Sequence, residues 1–467
     1  MLHIPILRAG EPYESLQTAP IKHIASGEIL GQVSQANRGL IARDLGRIGQ
    51  HKQTLEEHSH ADLLALCREA ARLFIEGELP LGDSTQTPAD YVEQLSATTG
   101  LPHTLCRANM GKIHSLLEQM EAVLDGLTRG LDLDLLDSGW SHQQGRPLSY
   151  VCQTQALGAI LPSNSPGVHA LWLPAIPLKV PLVLKPGGQE PWTPYRIAQA
   201  FMAAGCPPQA FSYYPTDYGG AAEILLRCDR SMFFGAAATV DAWKGDPGVQ
   251  IHGPGRSKVV LGADQAGEWE QYLDAMVESV AANSGRSCIN ASSVWMPAHG
   301  RALAEALAQR LGQIEALPLE HPQAQLSAFS NPEMAQRLDQ MIESQLKIPG
   351  AEVLTPGPRL VEVDGCTFLR PTVVWCTDPE HPLANSEFLF PFTSVVEVPQ
   401  DELLGCMGPT LVVSAVTEDT GFIAQLLASP HVERLNLGPV PTGRLTYDQP
   451  HEGNIFELLY RQRALQV

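Results

Sequence analysis

The chain has 467 residues, a formal net charge of −20, 44% hydrophobic residues and 18% charged residues. This length exceeds one ordinary hydrophobic core, so we expect two or three domains. The acidic balance argues against nucleic-acid binding, because phosphates require a basic face. No segment has the roughly 18 uninterrupted apolar residues of a membrane helix, and no signal-peptide pattern opens the chain. We therefore expect a cytoplasmic protein with neither nucleic-acid nor membrane partners.

Cysteine and histidine usage bears on disulfides and metals. The nine cysteines are an odd number and form no Cys-x-x-Cys pair, so neither a disulfide framework nor a compact zinc site is expected. The fifteen histidines show no ligand-spaced cluster with cysteines or carboxylates. We therefore predict no metal site.

In chain order, residues 1–130 are predicted to be mainly helical. The run Thr54-Leu55-Glu56-Glu57 matches a capping box, and apolar residues recur at helical spacing after it. Thr87-Pro88 marks a second helix start, with threonine as N-cap and proline in the first turn. A third amphipathic run spans 113–124.

From residue 151 the pattern changes to short apolar runs that alternate with helical ones. The predicted buried strands lie at 157–161, 181–184, 211–214, 232–234 and 249–251. Strands that alternate with helices at this spacing indicate a parallel, doubly wound sheet. Such a sheet binds ligands at the carboxyl ends of its strands.

A second α/β domain is predicted from the same pattern between residues 257 and 430. Strands are expected at 259–261, 292–296, 372–375, 394–398 and 410–415, and helices near 266–282, 301–314 and 332–345. Residues 435–445 are a further strand candidate. The predicted class is therefore α/β, with two doubly wound parallel-sheet domains.

The most informative segment is the polar, glycine-containing turn Asn283-Ser284-Gly285-Arg286-Ser287-Cys288-Ile289-Asn290. An amphipathic run precedes it and a strand-like run follows it. A thiol presented between a helix and a strand can be directed into a cleft, which makes Cys288 the candidate nucleophile.

Six short motifs then occur in a recognisable order. They are Leu161-Pro162-Ser163-Asn164, Leu184-Lys185-Pro186, Phe233-Phe234-Gly235, Gly253-Pro254-Gly255, Cys288 and Asn385-Ser386-Glu387. In this order and spacing the chain resembles the aldehyde dehydrogenase superfamily. The stretch Gly253-Pro254-Gly255-Arg256-Ser257-Lys258 is also similar to its CoA-linked branches, which include acyl-CoA reductases.

The resemblance implies three structural parts. A dinucleotide-binding domain would comprise 1–130 and 151–252, and a catalytic domain with the cysteine nucleophile would comprise 253–430. A small oligomerisation arm would comprise 131–150 and 431–467. Members of the superfamily commonly form homodimers or homotetramers through this arm.

The resemblance also implies the chemistry. Cys288 would add to the aldehyde, hydride would pass to a nicotinamide, and a thioester would remain on the enzyme. Asn164 would donate its side-chain amide to the oxyanion. Because only the thiolate is competent, we expect the site to lower the pKa of the thiol, with Arg286 or a helix terminus helping.

Cofactor contacts are carried over from the matching motifs. Lys185 would contact the adenine-side ribose, and Glu387 would hold the nicotinamide ribose. Gly235 would lie where a helix N-terminus approaches the pyrophosphate, and Ala236 stands where the family commonly has serine. The expected cofactor is NAD or NADP.

The choice between the two dinucleotides depends on the residue three places after Lys185. Many NAD-preferring relatives have an acid there, and this chain has Gly188. A missing carboxylate removes repulsion toward a 2′-phosphate, which makes NADP plausible. Gln189 and Glu190 are the residues that could compensate, so the choice stays open.

The main departure from the family pattern lies at position 252. Hydrolytic aldehyde dehydrogenases usually have a glutamate just before the glycine pair, and here that residue is His252. Either His252 is itself the general base, or hydrolysis is disfavoured and coenzyme A takes the acyl group as co-substrate.

The predicted function is an NAD(P)-dependent oxidoreductase that interconverts an aldehyde and an acyl derivative, with the CoA-acylating form favoured. The first alternative is a hydrolytic aldehyde dehydrogenase with His252 as base. The second is a catalytically silent relative that binds a dinucleotide. The partner would be a small-molecule aldehyde or acyl thioester.

Overall fold

The N-terminal part of the chain begins with strands rather than helices. The computed structural model describes residues 2–467. Five short strands come first: β1 (Leu2–Ile4), β2 (Ile6–Arg8), β3 (Glu11–Tyr13), β4 (Thr18–Lys22) and β5 (Ile29–Ser34). Helices and one hairpin follow: α1 (Arg38–Leu45), α2 (Ile48–Glu56), α3 (His60–Glu76), β6 (Leu79–Leu81), β7 (Ser84–Gln86), α4 (Pro88–Thr99), α5 (His103–Glu118), α6 (Met120–Thr128) and α7 (Leu135–Ser138).

The predicted helix starts are only partly correct. Thr54 lies inside α2, so the capping box proposed there is wrong. The capping box that begins α3 is formed by Ser59 and Asp62 instead. Thr87 caps α4 as predicted, and Asp90 completes a second box. The predicted start of α4 at Thr87-Pro88 is thus confirmed.

The next part of the chain contains most strands of the N-terminal sheet. Its elements are β8 (Ser141–Gln143), β9 (Arg146–Cys152), β10 (Leu157–Ile160), β11 (Leu182–Lys185), α8 (Trp192–Ala203), β12 (Phe211–Tyr213), α9 (Tyr218–Arg227), β13 (Arg230–Phe234), α10 (Ala237–Val240) and β14 (Val249–His252). The strand order is β14-β13-β10-β11-β12-β2-β3, and all pairs from β14 to β12 are parallel.

The remaining elements include the seven strands of the C-terminal sheet. They are β15 (Lys258–Leu261), α11 (Leu273–Ala281), β16 (Ser293–Met296), α12 (Gly300–Leu311), α13 (Pro332–Gln345), β17 (Ala351–Val353), β18 (Leu360–Val363), β19 (Cys366–Leu369), β20 (Thr372–Cys376), β21 (Phe392–Glu397), α14 (Gln400–Met407), β22 (Thr410–Val416), α15 (Thr420–Ala428), β23 (Val432–Leu437), α16 (Ile455–Leu459) and β24 (Tyr460–Arg463). The order is β17-β20-β21-β16-β15-β22-β23, parallel except at β17.

The central strands of both large sheets are buried, because helices cover both faces of a parallel sheet. The central strands are almost wholly apolar, as in β20, whose five residues are all buried. Helices cover the faces of such sheets, so their strands carry continuous apolar runs rather than alternating ones. This is why short apolar runs located the strands in the sequence.

A third, small sheet has the order β24-β9-β8 and is antiparallel. It joins the end of the chain to 141–152, the region predicted for the arm. β23 does not belong to it, since Val432–Leu437 pairs with β22 in the C-terminal sheet. The segment predicted for the arm, 431–467, therefore begins with a strand of the C-terminal sheet.

Three segments at the carboxyl edge of the N-terminal sheet position the site. β10 ends just before the turn with Asn164, β13 ends just before Gly235, and β14 ends at His252. The carboxyl ends of neighbouring parallel strands lie at one edge of a sheet. Residues distant in sequence thereby reach one cleft, which faces the segment between α11 and β16.

Candidate active site

The turn that carries Cys288 has an unusual backbone. Asn283, Ser284 and Gly285 follow one another with φ values of 51°, 58° and 64°. Left-handed conformation is unfavourable for residues other than glycine, so surrounding contacts must hold it. A side chain on Gly285 would approach the carbonyl carbon of Phe390 to 2.5 Å, which explains the glycine.

The side chain of Asn283 holds this turn from within. Its amide nitrogen donates to the hydroxyls of Ser165 (2.9 Å) and Ser287 (3.1 Å), and its oxygen accepts from the side-chain amide of Asn109 (2.8 Å). These buried bonds link the turn to α5 and to the segment after Asn164. The position of the thiol is thus fixed by the core.

The Gly253-Pro254-Gly255 loop lies directly against the cysteine. A Cβ on Gly255 would be 2.1 Å from the carbonyl oxygen of Cys288, so only glycine fits. The hydroxyl of Ser257 donates to the same carbonyl at 2.8 Å. The segment that connects the two large sheets therefore contacts the backbone of the nucleophile.

One cavity of about 510 Å³ brings most of the predicted site residues together. Its wall includes Asn164, Gly235, Ala236, His252, Cys288 and Glu387. Phe234, Phe329 and Leu389 are among its apolar residues. A small organic molecule can therefore meet the thiol in this cavity.

The amide of Asn164 is oriented by the nucleophile turn. Its nitrogen donates to the carbonyl of Arg286 at 2.7 Å. Only one of its two N–H groups is used in this bond, so the second can serve a reacting oxygen. The residue is thus held as a donor beside Cys288.

The guanidinium of Arg286 cannot help the thiol to ionise. It donates to the carbonyls of Thr99 (2.8 Å) and Ala328 (2.7 Å) and is completely enclosed. Burial lowers its pKa to about 10. The expected role of Arg286 in activating the thiol is therefore wrong, since its charge is used to satisfy backbone carbonyls of neighbouring segments.

A carboxylate that the sequence analysis missed contacts the thiol. The Cys288 Sγ–H donates to Glu452 Oε1 at 2.8 Å. The other oxygen, Oε2, lies 3.1 Å from His252 Nδ1, and His451 Nε2 is 3.6 Å from Oε1. Glu452 reaches the site from the segment before α16, and no motif or spacing in the sequence links it to Cys288.

The charge of Glu452 acts on the cysteine. Burial raises the pKa of the Cys288 thiol well above its ordinary value, and the adjacent carboxylate raises it further. Burial also raises the pKa of Glu452, but hydrogen bonding from His252 and the nearby histidine charges outweigh this effect and lower it to about 2. The resting pair is a thiol and a carboxylate, and the expectation of a lowered thiol pKa is wrong.

His252 is enclosed between an aromatic ring and the carboxylate. Its ring stacks on Phe234 with a centroid distance of 4.3 Å and an interplanar angle of 11°. Nδ1 faces Glu452, while Nε2 is buried with no hydrogen-bond partner among residues 2–467. Glu452 therefore lies between the two residues: His252 contacts one oxygen of its carboxylate, and the Cys288 thiol donates to the other.

A second cavity of about 650 Å³ shares part of its wall with the first. His252, Gly253 and Pro254 line both cavities, and Glu452 lines the second. The carboxylate is thus accessible from a side that the residues predicted to bind the cofactor do not line.

Lys185 lies at the carboxyl edge of the N-terminal sheet but not in the wall of the first cavity. It ends β11 and is in register with Ile160 of β10. Burial lowers the pKa of its ammonium. This edge is where a dinucleotide lies in doubly wound sheets, so Lys185 fits an adenine-side contact.

Residues 188–190 determine whether an acidic side chain lies near the adenine-side ribose that Lys185 is predicted to contact. A side chain on Gly188 would have no atom within 4 Å, so the position is open. Glu190 is buried, where it accepts from the backbone N–H of Thr193 (2.8 Å) and lies 3.1 Å from His169 Nε2. Glu190 therefore cannot compensate for a ribose-binding acid, whereas Gln189 is exposed and lines the first cavity.

Gly235 and Ala236 lead into a very short helix. α10 has one turn, Ala237–Val240, with Ala236 as its N-cap and no side-chain capping bond. Both residues line the first cavity. The helix that follows Gly235, whose N-terminus is expected near the pyrophosphate, therefore has a single turn.

Glu387 faces the loop that connects the sheets. Its carboxylate accepts a hydrogen bond from the backbone N–H of Arg256. Burial raises its pKa to about 7, against the lowering effect of that N–H and of the Arg256 charge. Its place in the wall of the first cavity, beside Leu389, fits a contact to a sugar hydroxyl.

Two kinds of feature are absent from residues 2–467. No group of three or more His, Cys, Asp or Glu residues that could hold a metal ion occurs in this part of the chain. Across the same residues, no helix has both the length and the apolar character needed to cross a membrane.

Comparison with known proteins gives matches in sequence and in structure. The sequence profile of the aldehyde dehydrogenase family matches residues 151–404, more than half of the chain. The chain is similar to succinate-semialdehyde dehydrogenase from Burkholderia pseudomallei, with 18% identity, a TM-score of 0.80, and coverage of 99% of this chain and 97% of that one.

Two further solved structures show the same likeness. One is the NAD+ complex of an aldehyde dehydrogenase from Bacillus cereus, with 15% identity, a TM-score of 0.78, and coverage of 99% and 96%. The other is an NADP dependent enzyme from E. coli, with 16% identity, a TM-score of 0.79, and coverage of 99% and 98%. The predicted fold class is confirmed.

Proposed function

Because the chain belongs to the aldehyde dehydrogenase family, we propose that it oxidises an aldehyde with NAD or NADP through a thioester on Cys288. The observation that carries the proposal is the single cavity lined by a cysteine thiol, the amide of Asn164 and the carboxylate of Glu387. A nucleophile, an oxyanion donor and a ribose-binding acid are the parts this reaction needs.

Each residue has a separate task. The sulfur of Cys288 bonds to the carbonyl carbon, and the free N–H of Asn164 donates to the oxygen as negative charge develops on it. Such a donor typically contributes about 3 kcal/mol to the transition state. When bound, the nicotinamide accepts the hydride. Glu387 and Lys185 hold the two riboses, and Gly235 and Ala236 leave room for the phosphates.

The dinucleotide site favours acceptance of NADP. Gly188 leaves the position three residues after Lys185 without a carboxylate, and Glu190 is enclosed by Thr193 and His169. No acid from these two positions repels a 2′-phosphate, and the ammonium of Lys185 attracts it. We therefore propose that NADP is used at least as well as NAD.

The acceptor of the acyl group is proposed to be water. The CoA-linked alternative rests on the absence of a glutamate at position 252. However, Glu452 provides a carboxylate 2.8 Å from the sulfur, so the site does not lack a base. Hydrolysis therefore has the group it needs, and the product is a carboxylic acid.

The assembly is proposed to be a homodimer or homotetramer. The β8–β9–β24 sheet is separate from both large sheets, and the outer residues of β24 are exposed. Exposed strand edges are commonly paired with another chain. We also propose that the N-terminal sheet with its helices binds the cofactor and that the C-terminal sheet carries catalysis. Light scattering of the purified protein tests the assembly.

A turnover screen tests the proposed function. Aldehydes of increasing chain length are incubated with NAD or NADP, each with and without CoA, and reduced cofactor and acyl products are quantified. We expect free acid at a rate independent of CoA, and no turnover by Cys288→Ala. Cys406→Ala is the control, since Cys406 is free and lies outside the first cavity.

The outcomes separate the alternatives. Acyl-CoA as the only product would replace water by CoA as the acceptor. Dinucleotide binding without any reduced cofactor, together with an unreactive Cys288, would identify a catalytically silent protein and overturn the proposal.

A further inference from the structure

We propose that Glu452 is the acid–base residue of this site and that His252 positions it. In this scheme Glu452 takes the proton of the Cys288 thiol as the sulfur attacks, and later takes a proton from the water that cleaves the thioester. The inference rests on the proposed function and deepens it, because it names the group that activates both nucleophiles.

The geometry assigns the two oxygens of Glu452 to different partners. Oε1 is 2.8 Å from Cys288 Sγ, within reach of direct proton transfer, and Oε2 is 3.1 Å from His252 Nδ1. General bases act at such distances. The side chain of Glu452 is only 7% exposed, so bulk water does not compete for it.

The backbone around Glu452 holds the carboxylate in place. Glu452 has a left-handed φ of 49°, and its carbonyl accepts from Gln250 Nε2 at 2.6 Å. A Cβ on Gly453 would lie 1.9 Å from that nitrogen, so glycine is required for the bond. Asn454 then donates to the carbonyl of Leu127 at 2.8 Å. These contacts support a positioned base.

His451 contributes a neutral partner. Its Nδ1 accepts from Arg434 Nη1 at 2.9 Å, which leaves Nε2–H directed at Glu452 Oε1. Burial lowers the pKa of His451 to about 4, so it is uncharged at neutral pH. Glu452 therefore has an uncharged imidazole beside Oε1, while His252 is the residue that donates to Oε2.

In the acylation step, Glu452 accepts the proton that the thiol loses. The Sγ–H bond breaks as the Sγ–carbon bond forms, and the proton goes to Oε1. The aldehyde carbon then loses hydride to the oxidised nicotinamide and becomes a thioester. Glu452 releases its proton to water before the next step. A free thiolate is never required, which agrees with a thiol held beside a carboxylate.

In the deacylation step, Glu452 first accepts a proton from water and then returns it to the sulfur. Water bonds to the thioester carbon and gives one proton to Glu452, the carbon–sulfur bond breaks, and Glu452 returns the proton to the sulfur. The sum is aldehyde, water and NAD(P)+ converted to carboxylic acid, NAD(P)H and a proton. Water reaches Glu452 from the second cavity, whose wall the carboxylate forms.

The test compares Glu452→Gln with the wild-type enzyme. The amide keeps the shape but cannot accept a proton, so the burst and the steady-state rate of NAD(P)H formation are expected to fall at least about 100-fold. Glu452→Asp is expected to recover part of the rate. Glu433→Gln is the matched control, because Glu433 lines the second cavity but is exposed and touches neither Cys288 nor His252.

Alkylation of Cys288 gives a readout that a merely structural role would not produce. Removal of the negative charge lowers the thiol pKa, so Glu452→Gln is expected to react faster with iodoacetamide at neutral pH, about tenfold per pKa unit. Lower turnover with faster alkylation supports the inference. Unchanged turnover, or slower alkylation of a folded variant, overturns it.

His252→Gln tests the positioning role. The Gln side chain can donate to Glu452 but cannot titrate, so activity is expected to stay within about tenfold of wild type with an unchanged burst-to-turnover ratio. If His252→Gln instead stops deacylation while Glu452→Gln does not, His252 is the base. Failure of the proposed function is distinguishable, because the wild-type enzyme would then form no NAD(P)H through Cys288.

Discussion

Two regions meet at the sulfur of Cys288, and they are held in different ways. The nucleophile turn, 283–288, is packed into the core by the side chain of Asn283 and by the close approach of Gly285 to Phe390. The acid loop, 446–453, is held by exposed and part-buried hydrogen bonds from Arg129, Gln250 and Arg434. We therefore expect the nucleophile turn to contribute more to the stability of the fold than the acid loop does.

The largest expected effect concerns the donor fixed by the nucleophile turn. Asn164→Ala removes the amide held by the Arg286 carbonyl, so we expect kcat to fall about 100- to 1000-fold with little change in KM. Steady-state kinetics check this. Ser330→Ala, in the same cavity wall, is the control and should retain activity. A fall in kcat below tenfold would remove Asn164 from the mechanism.

The next largest effect is a loss of stability when the nucleophile turn, 283–288, is changed at Asn283. Asn283→Ala removes two buried hydrogen bonds, with Asn109 and with Ser165, so the free energy of unfolding should fall by about 2 kcal/mol. Urea denaturation measures it. Asn436→Ala, which loses a single bond to Ser414, should cost less than about 1 kcal/mol. Equal losses would contradict the distinction between the two regions.

A smaller effect is expected in the acid loop. Gln250→Ala removes the bond to the Glu452 carbonyl, and we expect activity to drop about tenfold while the free energy of unfolding changes by less than about 1 kcal/mol. Parallel kinetics and denaturation check both. Gln449→Ala, in the same loop but bonded to Arg129, should leave activity unchanged. Strong destabilisation by Gln250→Ala would show that the loop is part of the core.

The last expected effect is a pH dependence of stability at Lys258, which follows the loop between the two large sheets, with a slope of at most about 1.4 kcal/mol per pH unit. Burial lowers the pKa of Lys258 to about 7. Between pH 7 and the ordinary lysine value of 10.5, the unfolded state holds one more proton than the folded state, so stability should rise with pH. Lys258→Met should lack this rise. Urea denaturation at several pH values measures the slopes, and equal slopes would contradict the assignment.

Much of the fold was predictable because it depends on local pattern. Buried parallel strands carry continuous apolar runs, and these located β10 to β14 and most of the C-terminal sheet. The family, the fold class and the NAD(P)-dependent enzyme class expected from the ordered motifs are confirmed. The strands before residue 35 were missed because polar residues and prolines interrupt their apolar residues, as in Glu11–Tyr13 and Thr18–Lys22.

The site was predictable only where motifs mark it. Asn164, Cys288 and Glu387 carry family motifs and line one cavity, and their catalytic roles stay predictions. Glu452 has no local signal, since its partner is 164 positions away. The direction of the Arg286 guanidinium depends on carbonyls of Thr99 and Ala328, which are brought there only by tertiary packing.

The close approach of Gly255 to the carbonyl of Cys288 has a mechanical consequence. The carbonyl of Gly255 accepts from the N–H of Leu411 at 2.8 Å, and Leu411 and Cys288 both belong to the C-terminal part of the chain. The loop after β14 is therefore fixed on two sides to the part that carries the nucleophile. Any displacement of Gly255 is transmitted directly to the backbone of Cys288.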